Sequence, residues 1–112
     1  MLIEVRNYHI QPSAFDVYME WARTIAVPFL KRNYDVIGFW VNSEDKPEIA
    51  RGEPDPLGSS NVTWIVRWES MSQRNETLRG TTASAEWQGI FSKLPGGIKN
   101  YLRIESKFTK PL

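Results

Sequence analysis

Three side chains near the start of the chain carry groups that can orient a small carbonyl or carboxylate ligand. Glu4, Arg6 and Tyr8 occupy alternate positions, so they share one face of a predicted strand. We expect Arg103 and Glu105, on the last strand, to join them. If this face points into a dimer, the set forms a polar floor under aromatic walls. The alternative is a structural network that closes an interface, because buried charges must be paired.

His9 is the single histidine of the chain, and histidine is the residue type that most often exchanges protons near neutral pH. We interpret it as a candidate general base at the end of the first strand, beside a pocket formed by Tyr18 or Trp21. The alternative is an ordinary strand-end residue. One histidine cannot form a His-rich metal site, and the sequence has no HExxH motif or EF-hand loop, so no metal is predicted.

Five tryptophans are unusual for a chain of 112 residues. They would line an apolar pocket for an aromatic or polyketide-like substrate, or they would only pack the core and a dimer interface. The tryptophans are Trp21, Trp40, Trp64, Trp68 and Trp87. The candidate ligand-binding residues are Arg6, Tyr8, His9, Trp21 and Trp64.

Composition excludes several classes of function. The absence of cysteine excludes a disulfide framework, a Cys-ligated zinc, an iron–sulfur cluster and a thiol nucleophile. A net charge of +1 argues against a nucleic-acid or membrane partner. No phosphate-binding glycine motif is present, so we predict no cofactor. Without an apolar leader or an apolar run long enough to span a membrane, we expect one cytoplasmic domain, residues 1–112.

Hydrophobic periodicity and breaker residues predict four strands and two helical regions. Ser13 is expected to begin the first helix and Pro28 to kink or end it near Val27. Ser70 is expected to cap the second helix and Gly80 to end it, and Ser84 or Thr82 would cap a further helical piece. The predicted strands cover residues 2–10, 36–42, 62–69 and 98–108, and a long polar loop covers 43–61.

This element order predicts a ferredoxin-like α+β fold, βαββαβ, with a four-stranded antiparallel sheet and helices on one face. Right-handed crossovers place the first and third strands in the middle, and we expect these two to be parallel to each other. The second and third strands carry large apolar residues at both parities. A second copy packed sheet to sheet would cover them, since each exposed side chain forgoes about 1.5–3 kcal/mol of burial. We therefore predict a homodimer.

Four short motifs, in order along most of the chain, resemble the NIPSNAP family. Ile3 to Tyr8 (I-E-V-R-N-Y) is similar to its opening Ile-Glu-(Leu/Val)-Arg-x-Tyr, and Gly38-Phe39 resembles its Gly-aromatic step. Asn61 to Arg74 is similar to its third strand and helix start, and Glu86-Trp87 to a motif of its second helix. The loop before Asn61 is longer than is usual in that family.

The resemblance implies a ferredoxin-like subunit that forms a dimeric α/β-barrel, in agreement with the dimer argued above. It carries over no catalytic residue. We expect a homodimer that binds a small, partly apolar organic molecule. By analogy with enzymes that share this barrel, it would be a cofactor-independent monooxygenase or isomerase. The alternative is a non-catalytic interaction or scaffold protein, so the sequence leaves open whether the chain is an enzyme.

Overall fold

Four antiparallel strands form one sheet, and helices pack on one of its faces. The computed structural model describes residues 1–42 and 46–112. The sheet order β2-β3-β1-β4 confirms the ferredoxin-like α+β fold and the central places of the first and third strands. The strands are β1 (Leu2–Ile10), β2 (Asp35–Val41), β3 (Val62–Trp68) and β4 (Tyr101–Thr109).

The two central strands are antiparallel, so the expectation that they run parallel is wrong. In their register Leu2 lies opposite Trp68 and Tyr8 opposite Val62. The reason lies in the connections. Each helical crossover joins strands that have another strand between them, whereas β3 follows β2 as an antiparallel neighbour. β3 is therefore antiparallel to β1 as well.

The first helical region continues through its proline. It consists of a 3-10 turn (Pro12–Ala14), α1 (Phe15–Trp21), a π turn (Ala22–Ala26) and α2 (Val27–Asn33). Ser13 lies in the 3-10 turn and caps no helix, contrary to expectation. Pro28 does not end the helix, because the wider π turn before it accommodates the ring and the missing N–H group.

The second helical region begins as predicted. The Ser70 hydroxyl accepts a hydrogen bond from the Gln73 backbone N–H at 3.1 Å and caps α3 (Met71–Thr82). Ser84 caps α4 (Ala85–Ser92) in the same way. Gly80 does not end α3, which continues for two more residues. A second 3-10 turn (Gly97–Asn100) then leads into β4.

The loop before β3 is tied to the sheet at its end. The Asn61 side-chain oxygen accepts a hydrogen bond from the Ile10 backbone N–H at 2.8 Å, and its amide nitrogen donates one to the Ile10 carbonyl at 2.9 Å. Arg103 forms an ion pair with Asp55 and donates a hydrogen bond to the Gly58 carbonyl at 3.0 Å. The first three residues of the predicted loop, 43–45, lie outside the described residues.

Alternation along β3 defines the two faces of the sheet. Val62, Trp64, Val66 and Trp68 are buried against the helices, on what we call the helix face. The intervening side chains lie on the opposite, helix-free face. The hydrophobic core therefore lies between the helix face and the helices.

No described helix combines the length and apolar character needed to cross a bilayer.

Glycine substitutions test the corrected boundary of α3. Gly80 lies inside the helix, and a Cβ atom there would meet nothing within 4 Å. Gly80→Ala should therefore raise the free energy of unfolding by about 0.5–1 kcal/mol, measured by urea denaturation. Gly96 is the control, because it has a φ of +72° and lies against the Asn100 side chain. Gly96→Ala should therefore lower the free energy of unfolding. A destabilised Gly80→Ala variant would place the helix end at Gly80.

Candidate ligand-binding cavity

A fully buried carboxylate, Glu4, lies at the centre of a polar cluster on the helix face. One of its oxygens accepts hydrogen bonds from Trp68 Nε1 at 3.0 Å and Arg74 Nε at 3.1 Å. The other accepts from Arg74 Nη2 at 2.8 Å, Arg6 Nε at 2.9 Å and Ser106 Oγ at 2.6 Å. Five donors thus satisfy one carboxylate, and they connect β1 to β3, β4 and α3.

The cluster keeps Glu4 ionised. Burial alone would raise the pKa of this carboxyl group, but hydrogen bonds from Arg74 and Ser106 and the charge of Arg6 outweigh burial and hold the pKa at about 2. For Arg6, burial lowers the pKa, and the neighbouring Tyr8 and Glu4 more than offset it. Near neutral pH the cluster therefore holds one carboxylate and two guanidinium groups.

Arg6 and Tyr8 extend the polar cluster along β1. Arg6 Nη1 lies 3.3 Å from the Tyr8 hydroxyl, which also accepts a hydrogen bond from Trp64 Nε1 at 2.9 Å. The guanidinium of Arg6 lies 5.1 Å from the centroid of the Trp64 ring, within cation–π range. Both side chains are thereby fixed at the edge of an open space.

That space is a cavity of about 270 Å³ between the helix face and the helices. It is just smaller than the roughly 300–1,000 Å³ of pockets for drug-sized ligands, so it suits a one- or two-ring molecule. Arg6 is the one charged residue among its described lining residues. The walls are mainly aromatic: Tyr8, Tyr18, Trp21, Tyr34, Phe39, Trp64, Trp87, Phe91 and Tyr101.

The mouth of the cavity lies beside β4 and the Gly97–Asn100 turn. Three apolar lining residues remain exposed there: Phe91 at 36%, Ile98 at 57% and Ile104 at 52%. Trp21, in contrast, is buried at the inner wall, where its Nε1 donates to the Ile90 carbonyl of α4 at 2.9 Å. A ligand would therefore enter past apolar side chains and reach polar groups on β1.

Three tyrosines of the cavity are neutral donors rather than bases. Burial raises the pKa of Tyr18, Tyr34 and Tyr101 above the ordinary phenol value. The Tyr34 hydroxyl is bonded to Thr81. No carboxylate or imidazole is among the described lining residues, so the cavity presents one cation and several phenols.

Four of the five predicted ligand-binding residues line this cavity: Arg6, Tyr8, Trp21 and Trp64. His9 does not. It lies on the helix-free face, where its Nδ1 is 3.0 Å from the Ser59 carbonyl oxygen of the loop. The expectation that His9 stands beside Tyr18 or Trp21 is wrong, because adjacent residues of a strand point to opposite faces.

Arg103 and Glu105 do not join the Glu4 cluster either. Arg103 pairs with His9 across the strands and points to the helix-free face. A bulge shifts the register of β4, so Tyr101 faces the helices instead of sharing a face with Arg103. The Glu4 cluster itself faces the helices of its own chain, and not a second sheet.

Sequence reasoning missed Arg74, the bidentate partner of Glu4, because 70 residues separate the two. Its one signal was its place in the helix start that resembles the NIPSNAP pattern. Trp87 was expected only as one of five tryptophans that would line a pocket or pack the core, and Phe39 appeared in a motif without an assigned role at a site. All four motif segments thus supply residues to the cluster or the cavity wall.

Among residues 1–42 and 46–112, no group of three or more His, Asp or Glu side chains is placed to hold a metal ion.

The pKa of Glu4 predicts an acid-sensitive stability. Because the folded value of about 2 lies below the ordinary 4.5, the stabilisation is complete above pH 5 and is lost as the pH falls through 2. Between pH 6 and pH 2 the stability advantage of the wild type over Glu4→Gln should shrink by about 3 kcal/mol. Urea denaturation at the two pH values measures it.

Glu105→Gln is the control, because this exposed carboxylate lies on the other face of the same sheet. Its difference from the wild type should change by less than about 0.5 kcal/mol over this range. A ¹³C NMR titration of the Glu4 carboxyl in the wild-type protein tests the pKa without any variant. A midpoint near 4.5 would contradict the assignment.

Comparison with known proteins identifies solved structures that share this fold. No protein-family model matches the chain, and no curated protein matches it. Among solved structures, it is similar to a NIPSNAP domain protein from Burkholderia xenovorans, with a TM-score of 0.75, 18% identity, and coverage of 100% of this chain and 95% of that one. A NIPSNAP family protein from Agrobacterium tumefaciens matches at a TM-score of 0.77 and 17% identity, with 99% and 85% covered.

A more distant similarity joins the chain to an antibiotic biosynthesis monooxygenase, at a TM-score of 0.57 and 11% identity, with coverage of 100% and 99%. Sequence identities this low establish a shared fold and do not establish a shared activity. The NIPSNAP matches agree with the four motifs of the sequence and with the βαββαβ order. The chain therefore has a NIPSNAP-like fold.

Proposed function

We propose that this chain binds a small, partly apolar aromatic molecule in the cavity between its sheet and its helices. One observation carries the proposal: a cavity of about 270 Å³ is walled by aromatic rings and has a single cation, Arg6, at its polar end. Ligand pockets combine such apolar walls with a few placed polar groups that fix orientation.

Packing alone explains the aromatic walls less well than binding does. Protein interiors are close-packed and leave few voids larger than a water molecule. A set of rings that served only as core would be expected to fill this space. The rival function, a non-catalytic interaction or scaffold protein, predicts that the cavity takes up no small molecule.

A homodimer is the proposed assembly. The helix-free face carries Val5 and Ile65, both partly exposed, and Trp40, which is 48% exposed. A second copy packed on this face would bury them, and a two-fold axis makes such a surface complementary to itself. The same face holds ion-paired Asp35 and Arg67, which would then lie at its rim.

We further propose that the chain is an enzyme, a cofactor-independent monooxygenase or isomerase that acts on an aromatic substrate. Arg6 supports it, because a guanidinium in a water-poor cavity stabilises an enolate or phenolate oxygen as charge develops there. The described lining residues include no carboxylate or imidazole to act as base. The substrate would thus have to bind as its enolate or phenolate anion, and dioxygen would be the oxidant of the monooxygenase reaction. The monooxygenase among the fold neighbours is consistent with this proposal.

Calorimetry with a panel of one- and two-ring aromatic compounds tests ligand binding. The variant Ile104→Trp narrows the mouth of the cavity and should weaken binding at least tenfold. Leu102→Trp is the matched control, since Leu102 is an exposed residue of the same strand that does not line the cavity. Its affinity should stay within twofold of wild type. No heat with any compound, or equal losses in both variants, would contradict the proposal.

Sedimentation equilibrium tests the assembly. The wild type should sediment as twice the mass of the chain at micromolar concentration. Trp40→Glu, which places a charge on the helix-free face, should sediment as a folded monomer. Arg23→Glu, a charge change on an exposed helix position, should leave the dimer unchanged. A folded wild-type monomer would overturn the homodimer.

A further inference from the structure

The charges of the Glu4 cluster do not balance. Glu4 contributes one negative charge, whereas Arg6 and Arg74 contribute two positive charges. The remaining contacts of Arg74 are with neutral or aromatic partners, the amide oxygen of Asn75 and the ring of Phe108. One guanidinium in this half-buried cluster therefore has no anion of its own.

The surplus cation is Arg6, and it faces the cavity. Arg74 binds Glu4 through two nitrogens, at 3.1 and 2.8 Å, in the fork geometry that pairs a guanidinium fully with a carboxylate. Arg6 gives Glu4 only its Nε. Its Nη1 makes the long 3.3 Å contact with Tyr8, and no acceptor in the described part of the chain lies against its Nη2. Arg6 lines the cavity, whereas Arg74 does not.

The Tyr8 hydroxyl supplies a second donor at the same place. Its oxygen accepts N–H groups from Trp64 at 2.9 Å and from Arg6 at 3.3 Å. A phenol has one proton to donate, and with both lone pairs engaged that proton must point away from these two donors. Tyr8 also lines the cavity, and no described side chain accepts its proton. Arg6 and Tyr8 thus offer two adjacent donors and a positive charge.

We infer that the ligand of this cavity is an aromatic monoanion whose carboxylate binds Arg6 and the Tyr8 hydroxyl. This inference rests on the proposed function and narrows its ligand class. A carboxylate has two oxygens for the two donors, and its single charge neutralises the surplus cation. The aromatic body then lies among the rings of Trp64, Phe39 and Trp87.

Binding of a matched pair, 2-naphthoate and 2-naphthamide, tests the inference by calorimetry at pH 7 on the full chain. The two probes share shape and aromatic surface and differ in charge. In the wild type the acid should bind at least tenfold more tightly than the amide. Tyr8→Phe should reduce this preference several-fold. Ser92→Ala, which removes an exposed hydroxyl of α4 outside the cavity, should leave the preference unchanged.

The outcomes separate this inference from the proposed function. Equal affinities for acid and amide would overturn the carboxylate site and leave an aromatic-binding cavity. If neither probe nor any compound of the aromatic panel binds, both fail. If the Tyr8→Phe variant folds poorly, the preference of the wild-type protein for the acid over the amide decides the test. In addition, ¹⁵N NMR should show the Arg6 side-chain resonance shifting with the acid and not with the amide; a resonance that does not move would overturn the inference.

Discussion

The pairing of one buried carboxylate with two guanidinium groups is the constraint on which this structure depends. Glu4 has no access to water, so its charge is tolerable only because five donors from three strands and α3 converge on it. Removal of a donor would leave an uncompensated charge in the core. The cluster therefore fixes the position of α3 against the sheet, and with it one wall of the cavity.

The same cluster supports the ligand site proposed for the cavity. Apolar side chains of similar volume often hold protein elements together as well as a buried ion pair does. Arg74 already pairs with Glu4 through two nitrogens, and Arg6 is a second cation at the same carboxylate. It lies where the polar cluster meets the aromatic walls. A surplus cation at that boundary costs stability unless an anion accompanies it, and a bound ligand is the natural source of that anion.

Much of the fold follows from periodicity and capping residues. The first strand, 2–10, and the cap at Ser70 come directly from alternation and hydrogen-bonding chemistry. Local patterns do not show where a strand gains an extra residue. The bulge in β4 turns Tyr101 into the cavity, and sequence alternation places it on the other face. Arg74 was missed because its contact with Glu4 joins segments 70 residues apart. The position of His9 on the face opposite Tyr8, in contrast, follows from the alternation of β1 itself.

A crystal structure of the chain grown with 2-naphthoate would show whether the cavity receives an anion at Arg6. We expect electron density for the ring system among Phe39, Trp64 and Trp87, with the carboxylate within hydrogen-bond distance of Arg6 and the Tyr8 hydroxyl. A cavity closed by its own side chains, or a carboxylate that points out of the mouth past Ile98, would contradict it.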